Sequence, residues 1–364
     1  MITFAVSAFL SYTAFSSQVG LLYWIPRTFW IVRIFPTRLI FFDVSNTEEK
    51  EISTLILEFS HAIDSFRVEC QWDRERLLVI LQTGKTVSVF ALQRDKDPFS
   101  CALCLLRGSF LHVTSLEGEE VGKLVRGEWI RLSLYQAPCP CSTPLPASSF
   151  VKIPKLSFGS SKKKCLDSFD QRTNPQELLP CLYALSCLLP HELEEGGIVC
   201  SASEQNILSV DFVSVWRHHF SRTGVPSWKD QRFYGTKPFF SGKGSPLKIL
   251  FYFGRAILRS LVRVENGQLV LSPVLPSWFV SGRLRDLPCS FGFCSLMWSR
   301  RRLRRCVLTV MQDFVCNLVF PPGVKGFRST RKGGGPGMCH VIGSELVTFA
   351  FQAGDVYCFD RFEH

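Results

Sequence analysis

Residues 39–135 alternate between short apolar runs and polar turns, a pattern that predicts a mixed region with several strands. Two of these runs, Leu77–Leu81 and Thr86–Leu92, flank Gly84, which favours a tight turn, so they predict a hairpin. Further short runs between residues 39 and 135, ending with Trp129–Leu134, indicate more strands. We therefore expect residues 1–136 to form a mixed α/β region with an apolar start.

The pattern breaks in residues 137–172, which contain prolines, serines and the run Lys162–Lys164. Such a composition disfavours regular structure and predicts a linker or a long surface loop, with a domain boundary near residue 150. The lysine run has the composition of a nuclear-import patch, although a solvated loop is the favoured interpretation.

In residues 173–320 apolar residues recur at helical spacing. Asn174 can cap a helix that begins at Pro175, and its apolar stripe is formed by Leu178, Leu182, Leu185 and Leu189. A second amphipathic helix is predicted over Ile207–Phe220, and a buried strand over Leu247–Phe253. Asn266-Gly267 lies between alternating flanks and predicts a hairpin over Leu261–Leu271.

A third helix is predicted over Trp298–Leu318, where apolar residues recur close to an i, i+4, i+7 pattern. Five arginines crowd its first turns and oppose the helix dipole, at about 0.3–1 kcal/mol for each poorly placed charge. We interpret this conflict as a partner-binding site. Its predicted residues are Arg300, Arg301, Arg302, Arg304, Arg305, Val307 and Met311.

Residues 321–364 contain a glycine-rich loop, Lys332–Gly337, which lacks the Gly-Lys-Ser/Thr of a phosphate-binding loop. The runs Leu346–Phe351 and Val356–Phe359 flank Gly354 and predict a terminal hairpin. Together these elements predict an α+β fold of mixed helices and antiparallel strands in two domains.

The composition predicts a packed core, and the net charge is unevenly distributed along the chain. Of 364 residues, 46% are hydrophobic and 20% charged, with 32 phenylalanines and a net charge of +11. Residues 1–150 carry a net charge of −1, so the remainder carries +12. A partner attracted by charge should therefore bind the second part, whether that partner is nucleic acid, an acidic protein face or an anionic membrane.

The uncharged start, Met1–Ile25, is long enough to span a bilayer and is followed by Arg27, Arg33 and Arg38. Serine, threonine and glutamine residues dilute its apolar character. A buried strand or a pair of helices is therefore the favoured interpretation, and membrane association is the less favoured one.

The 15 cysteines are odd in number and show no disulfide framework, so we interpret them as mostly reduced core residues. A structural zinc site has weak candidates in Cys101, Cys104, Cys289 and Cys294. Motifs for a catalytic nucleophile, a metalloprotease or a dinucleotide are absent from the sequence, and adjacent His218 and His219 are interpreted as structural. A binding protein without a cofactor is thus favoured over an enzyme.

Seven segments between residues 176 and 314 follow one another in a characteristic order. They are QELLPCLYALSCLLP (176–190), GGIVCSASE (196–204), VSVWRHHF (213–220), DQRF (230–233), KILFYFGRAILRSLVRVENGQLVLSPVLPSWF (248–279), PCSFGFC (288–294) and RRRLRRCVLTVM (300–311). In this order they resemble the adenovirus early region 4 34 kDa protein family. The resemblance covers less than half of the chain and favours a divergent, non-primate member.

The resemblance implies an early viral regulatory adaptor in the host nucleus. With the large early region 1B protein, such an adaptor recruits a host cullin, the elongin B–C pair and a RING subunit. The resulting ubiquitin ligase degrades host DNA-damage and antiviral proteins and favours late viral mRNA export. The arginine-rich segment would then serve nuclear retention and partner binding. The family's elongin box has a leucine four residues before a cysteine, whereas here Gly196 precedes Cys200.

Two alternatives remain open at this stage. The basic half places aromatic residues near basic ones, as in a protein that binds single-stranded nucleic acid. Those aromatic residues are Trp216, Trp228, Phe233 and Tyr234. The apolar start favours instead a membrane-associated viral accessory protein.

Overall fold

A computed structural model of the chain describes residues 13–141, 153–158, 164–165, 175–193, 198–200, 212–229, 239–271, 275, 279–333, 337–342 and 347–364. The first fifteen strands are β1 (Thr13–Ser16), β2 (Leu21–Trp24), β3 (Trp30–Ile34), β4 (Arg38–Asp43), β5 (Lys50–Glu58), β6 (Ser65–Gln71), β7 (Arg76–Thr83), β8 (Thr86–Arg94), β9 (Ser100–Arg107), β10 (Phe110–Ser115), β11 (Glu120–Val125), β12 (Trp129–Ser133), β13 (Gln136–Cys141), β14 (Lys155–Ser157) and β15 (Lys164–Cys165).

A short 3-10 helix, Trp72–Arg74, lies between β6 and β7, and the α-helices of the described residues occur in the second part, between further strands. In chain order these elements are α1 (Pro175–Ser186), β16 (Ile198–Cys200), α2 (Phe212–His219), β17 (Phe240–Gly242), α3 (Leu247–Leu261), β18 (Val262–Glu265), β19 (Gln268–Leu271), β20 (Ser281–Cys289), β21 (Gly292–Ser299), β22 (Arg302–Val310), β23 (Phe314–Val319), β24 (Gly326–Arg331), β25 (Met338–Val341), β26 (Val347–Phe351) and β27 (Val356–Glu363).

The predicted α+β class is wrong, because strands account for 55% of the structure and helices for 12%. The strands form mostly antiparallel sheets of a β-sandwich-like class. The largest error has a physical cause: apolar residues of Trp298–Leu318 recur near helical spacing, although the structure buries alternate residues along β22.

The first part of the chain forms two sheets. One has the order β13-β12-β9-β8-β7-β6-β1-β15, and the other has the order β11-β10-β5-β4-β3-β2. Alternate residues are buried along the central strands, as Leu77, Val79 and Leu81 are in β7. Phe29, in the turn between β2 and β3, stacks on Phe99 beside β9 with a centroid distance of 5.4 Å. The two buried faces thus contribute to one apolar core.

The second part forms a seven-stranded sheet, β14-β20-β21-β22-β27-β24-β25, and a four-stranded sheet, β18-β19-β23-β26. Aromatic rings join the two: Phe291 stacks on Phe314 at 4.0 Å and Phe314 on Phe351 at 4.6 Å. The unusual phenylalanine content is explained in part by this ring cluster. Its members are Phe291, Phe314, Phe320, Phe327, Phe349, Phe351, Phe359 and Phe362.

Helix α1 connects the two parts of the chain. The backbone N–H of Arg27 donates to the carbonyl of Leu188 at 2.8 Å, and its guanidinium donates to the carbonyl of Leu189 at 3.1 Å. The same guanidinium forms an ion pair with Glu75 at 2.8 Å. One arginine therefore satisfies carbonyls just beyond the helix end and ties them to the first part of the chain.

Several predicted elements are confirmed. Strands β7 and β8 form the hairpin around Gly84, and β18 and β19 form the hairpin around Asn266-Gly267. Asn266 and Gly267 have φ angles of 51° and 71°, as a type I′ turn requires. Helix α1 is confirmed, and α2 confirms the later part of Ile207–Phe220, whose residues 207–211 lie outside the described residues.

Other elements differ from the prediction. Leu247–Phe253 is the start of helix α3, because Leu247, Leu250, Gly254 and Ile257 recur at helical spacing on its buried side. The predicted terminal hairpin contains both strands, but β26 pairs with β23 whereas β27 pairs with β22 and β24. The start of the predicted linker, residues 137–141, belongs to strand β13.

Candidate partner-binding surface

The predicted arginine-rich helix is a β-hairpin. Strand β21 ends at Ser299, β22 begins at Arg302, and these two residues are paired across the hairpin. Buried Cys306, Leu308 and Val310 alternate along β22 with half-exposed residues. The β-branched residues of this segment favour an extended backbone, and burial at period 2 decides between the two patterns.

The hairpin turn consists of Arg300 and Arg301, both in the left-handed region with φ angles of 51° and 59°. Two-residue turns of this type normally use Asn-Gly, as at Asn266-Gly267. The left-handed conformation costs about 1–2 kcal/mol for an ordinary L-residue. Asn-Gly would form the same turn without this cost. Two arginines in strained positions at the tip therefore indicate a function for their side chains.

Exchanging the turn sequences tests this arrangement. We expect the double change Arg300→Asn and Arg301→Gly to raise the free energy of unfolding by about 1–2 kcal/mol in urea titrations, because it relieves the left-handed strain. The matched control, Asn266→Arg with Gly267→Arg, should lower it by a similar amount. In a helix the Asn-Gly change would destabilise instead, so a loss of stability contradicts the hairpin.

A β-bulge presents the next arginine to solvent. Trp298 pairs with Leu303 whereas Met297 pairs with Arg305, so Arg304 is the extra residue on β22. Arg304 is exposed and donates to the Ser299 hydroxyl at 3.1 Å, while Leu303 is buried. Bulges commonly redirect a side chain in this way, and here the redirected group is a cation.

Pairing across the seven-stranded sheet brings distant residues into one row on its outer face. Arg283 pairs with Met297, Met297 with Arg305, Arg305 with Asp360, and Asp360 with Arg328. We call this surface and the adjoining turn the basic face. It consists of Arg283, Arg285, Met297, Arg300, Arg301, Arg302, Arg304, Arg305, Arg328 and Asp360.

Positive charge exceeds negative charge on the basic face. Arg328 donates two hydrogen bonds to the Asp360 carboxylate, at 2.8 and 2.9 Å, and this bond holds the pKa of Asp360 below its usual range. That carboxylate neutralises about one of the surrounding arginines. Within the part of the chain that the structure describes, no ion pair is formed by Arg283, Arg285, Arg300, Arg301, Arg302 or Arg304.

Apolar side chains are exposed beside these charges. Met297 is 45% exposed between Arg283 and Arg305 in the row, and Val280 is 48% exposed beside the turn, where its carbonyl accepts from the Arg301 N–H at 2.9 Å. Exposed apolar groups surrounded by arginines are typical of protein interfaces, in which arginine and methionine are enriched.

The structure separates some of the predicted site residues. Val307 lies half-buried on the same outer face, one row from Arg305. Met311 is 66% exposed but follows the other end of β22, about 30 Å from the turn at ~3.3 Å per strand residue. Arg283, Met297 and Arg328 were missed, because only sheet pairing brings them to the arginines of β22.

The metal candidates are not brought together. Cys101 and Cys104 are three residues apart on β9, so their side chains lie on opposite faces of the sheet and cannot bind one ion together. Cys294 is buried and its thiol is hydrogen-bonded to Cys306, which together with burial raises the pKa of Cys294 well above its usual value. Cys289 is half-buried at the strand end, where burial raises its pKa to about 12.

No group of three or more metal-binding side chains occurs among the described residues. Of the predicted elongin-box region, Gly196 lies outside them, and Cys200 ends strand β16, which pairs with β17. No helix in the described ranges is both long and apolar enough to cross a membrane.

The aromatic residues proposed for nucleic-acid stacking lie elsewhere. Trp216 is buried and stacks on Phe220 at 5.0 Å. The indole of Trp228 is half-buried and donates to the Gly244 carbonyl at 2.7 Å. Phe233 and Tyr234 lie outside the described residues. His219 is a buried structural residue that hydrogen-bonds to Ser227 and Phe240, as interpreted from the sequence.

Comparisons with known proteins leave the class of this protein open. No protein-family model matches the chain, and no curated protein matches it. Among solved structures, a GH127 beta-arabinofuranosidase is similar over 51% of this chain, with 14% identity and a TM-score of 0.19. The chain spans about a third (31%) of that structure's length. So low a score carries no argument about fold or activity, and the resemblance to the early region 4 family stays a prediction.

Proposed function

We propose that this chain is a non-catalytic binding adaptor that docks an acidic protein surface on its basic face. The observation that carries the proposal is the Arg300–Arg301 turn, where two cations occupy strained positions. The row that continues from it supplies further guanidinium groups around the exposed side chain of Met297. Guanidinium groups bind carboxylates with two parallel hydrogen bonds, as Arg328 already does with Asp360.

An acidic protein fits this face better than single-stranded nucleic acid does. Sheets that bind single strands present aromatic rings on which bases stack. Here the basic face as defined contains no aromatic residue, and the phenylalanine cluster lies between the two sheets of the second part. Nucleic acid would therefore be held through phosphates alone, and its binding would fall steeply with salt concentration.

The sequence resemblance extends the proposal to particular partners. It supports a viral early adaptor in the host nucleus, working with the early region 1B large protein, a cullin, elongin B–C and a RING subunit. Elongin recruitment would need a degenerate box around Gly196–Cys200, or another adaptor subunit. The substrates of the resulting ligase would be host DNA-damage and antiviral proteins.

Charge reversal on the turn tests the proposal. We expect Arg300→Glu, Arg301→Glu, Arg302→Glu and Arg304→Glu together to reduce partner recovery at least tenfold, because each reversal replaces attraction with repulsion. The tagged chain would be purified from nuclease-treated nuclei of infected cells and its co-eluting proteins quantified by mass spectrometry. Arg305 is left unchanged because it is half-buried beside Asp360.

The control carries the same change of net charge in the first part of the chain, at exposed Lys85, Lys96, Arg107 and Arg126. It should retain the partners, and both variants should show unchanged urea unfolding. If both variants recover equal amounts of the partner proteins, the basic face is not the docking surface. Recovery of partners other than ligase subunits keeps the adaptor but rejects the family resemblance. Loss of all partners on nuclease treatment favours nucleic acid.

A further inference from the structure

The seven-stranded sheet has an open edge at β25 (Met338–Val341). This strand pairs with β24 on one side, and no other strand in the described part of the chain pairs with its second side. The Ile342 N–H donates to the Lys325 carbonyl at 2.8 Å, so every second residue before Ile342 also directs its backbone groups to β24. Cys339 and Val341 therefore direct their backbone N–H and C=O groups away from the sheet.

This edge lacks the features that normally prevent a further strand from adding. Edge strands are usually protected by charged side chains, prolines, bulges or a covering element. Strand β25 contains no proline and no lysine, arginine or acidic residue, and its pairing with β24 is regular. Val341, at 85%, is the most exposed large hydrophobic residue among those described, and Met338 is 68% exposed. The opposite edge strand, β14, contacts helix α1 and buries Leu156 and Ser157, so that edge is covered whereas β25 is open.

The charges around β25 indicate which kind of segment can pair with it. Residues 325–341 contain four cationic side chains and no acidic one. Two of the four form ion pairs with aspartates, whereas Lys325 and Lys332 are exposed and form no ion pair within the described ranges. A second copy of this hairpin would bring the same unpaired lysines towards each other. An acidic segment instead complements the charge of the edge.

We propose that β25 binds an extended acidic segment of the partner protein, which adds to the sheet as a further strand. The outward backbone groups of Cys339 and Val341 supply the hydrogen bonds, as in other complexes in which a peptide extends a sheet. Side chains alternate along a strand, so every second side chain of the segment lies on the basic face beside Cys339 and the others lie beside Met338. This inference rests on the proposed function, because it describes how the acidic partner continues from the basic face to the sheet edge.

A short acetylated peptide of alternating glutamate and valine is a suitable probe, because all its carboxylates lie on one side of a strand. With the full chain at low salt, we expect saturable binding of the fluorescein-labelled peptide by fluorescence anisotropy. Hydrogen exchange, followed by mass spectrometry, should slow in the fragment that contains β25, because the N–H groups of Cys339 and Val341 gain acceptors. Exchange in the fragment that contains β26 should not change.

Proline substitution locates the binding edge. Cys339→Pro removes an outward N–H but no hydrogen bond to β24, and it should weaken peptide affinity by at least about tenfold. The matched control is Ala350→Pro on β26, the edge strand of the four-stranded sheet, and it should leave the affinity unchanged. The Ala350 N–H also points outward, since Asn317 on β23 donates to the Gly267 carbonyl on the β19 side at 3.0 Å. Val341→Pro replaces Cys339→Pro if that variant does not fold.

The same peptide with methylated backbone nitrogens keeps its charge but cannot pair as a strand, so it should not bind. Equal binding of the methylated peptide, or unchanged exchange at β25, overturns the proposal. If Cys339→Pro retains the nuclear partners that the charge-reversed turn variant loses, the partner does not extend onto β25, while the basic face remains its docking surface. If instead Cys339→Pro loses partners that the charge-reversed variant retains, the basic face fails as the docking surface and the strand site stands.

Discussion

Replacing Phe359 with alanine is expected to lower the free energy of unfolding by about 3–5 kcal/mol, the usual cost of deleting a fully buried ring. Phe359 lies on β27 of the seven-stranded sheet, yet its ring contacts Phe349 and Phe351 on β26 of the four-stranded sheet, at 5.4 and 6.3 Å. It also contacts Phe327 at 5.8 Å. The substitution would leave a cavity at the centre of the cluster that joins the two sheets.

Urea unfolding followed by tryptophan fluorescence measures this effect. The matched control is Phe110→Ala, which removes a 45% exposed ring whose recorded contacts are His112 and Lys123, and which should cost no more than about 1 kcal/mol. Phe359→Leu should fall between the two. Equal losses for Phe359→Ala and Phe110→Ala would mean that the two sheets do not share this core.

The elements predicted correctly are those that a few neighbouring residues specify without contacts to distant parts of the chain. Asn266-Gly267 and Gly84 specify tight turns whatever the surrounding fold, and both hairpins are confirmed. Asn174-Pro175 and the leucine stripe likewise specify the start and face of α1. The terminal strands were found but wrongly paired, because Gly354 marks a turn without revealing that the chain crosses there from one sheet to the other.

The arginine segment shows why the rest could not be predicted. Leu303, Val307, Val310 and Phe314 fit a helical stripe, but Leu303, Cys306, Leu308 and Val310 are the buried set. The bulge at Arg304 shifts the alternation by one residue and so hides period 2 from the sequence pattern. The sequence does indicate that the charges at Arg300–Arg305 are unfavourable for the local backbone. Their physical source is left-handed backbone strain and uncompensated charge rather than opposition to a helix dipole.

The composition of the basic face depends on contacts between distant segments. Arg283, Arg305 and Arg328 lie on strands β20, β22 and β24, and the residues between them in the row come from β21 and β27. The sequence placed the positive charge in the second part of the chain. It contained no local signal for this strand order, which arises from pairing between strands far apart in the sequence.

The pairing of β21 with β22 leads to a second large effect, at Gly292. This residue begins β21 with a φ angle of +143°, and a Cβ atom there would lie 2.1 Å from the Thr309 carbonyl oxygen and 3.0 Å from the Met311 nitrogen. Backbone atoms of a central strand cannot move away as a flexible side chain can. We therefore expect Gly292→Ala to lower the free energy of unfolding by at least about 3 kcal/mol, or to prevent folding.

Gly267→Ala is the matched control. Gly267 also has a positive φ, +71°, but a Cβ atom there would meet nothing within 4 Å, so only the left-handed conformation is penalised, by about 1 kcal/mol. Urea unfolding of both variants measures the difference, and soluble yield at low temperature covers the case in which Gly292→Ala does not fold. Equal losses at the two glycines would show that the strand holding Thr309 does not approach Gly292. That result would contradict the pairing of β21 with β22, and with it the hairpin that places the arginine turn on the basic face.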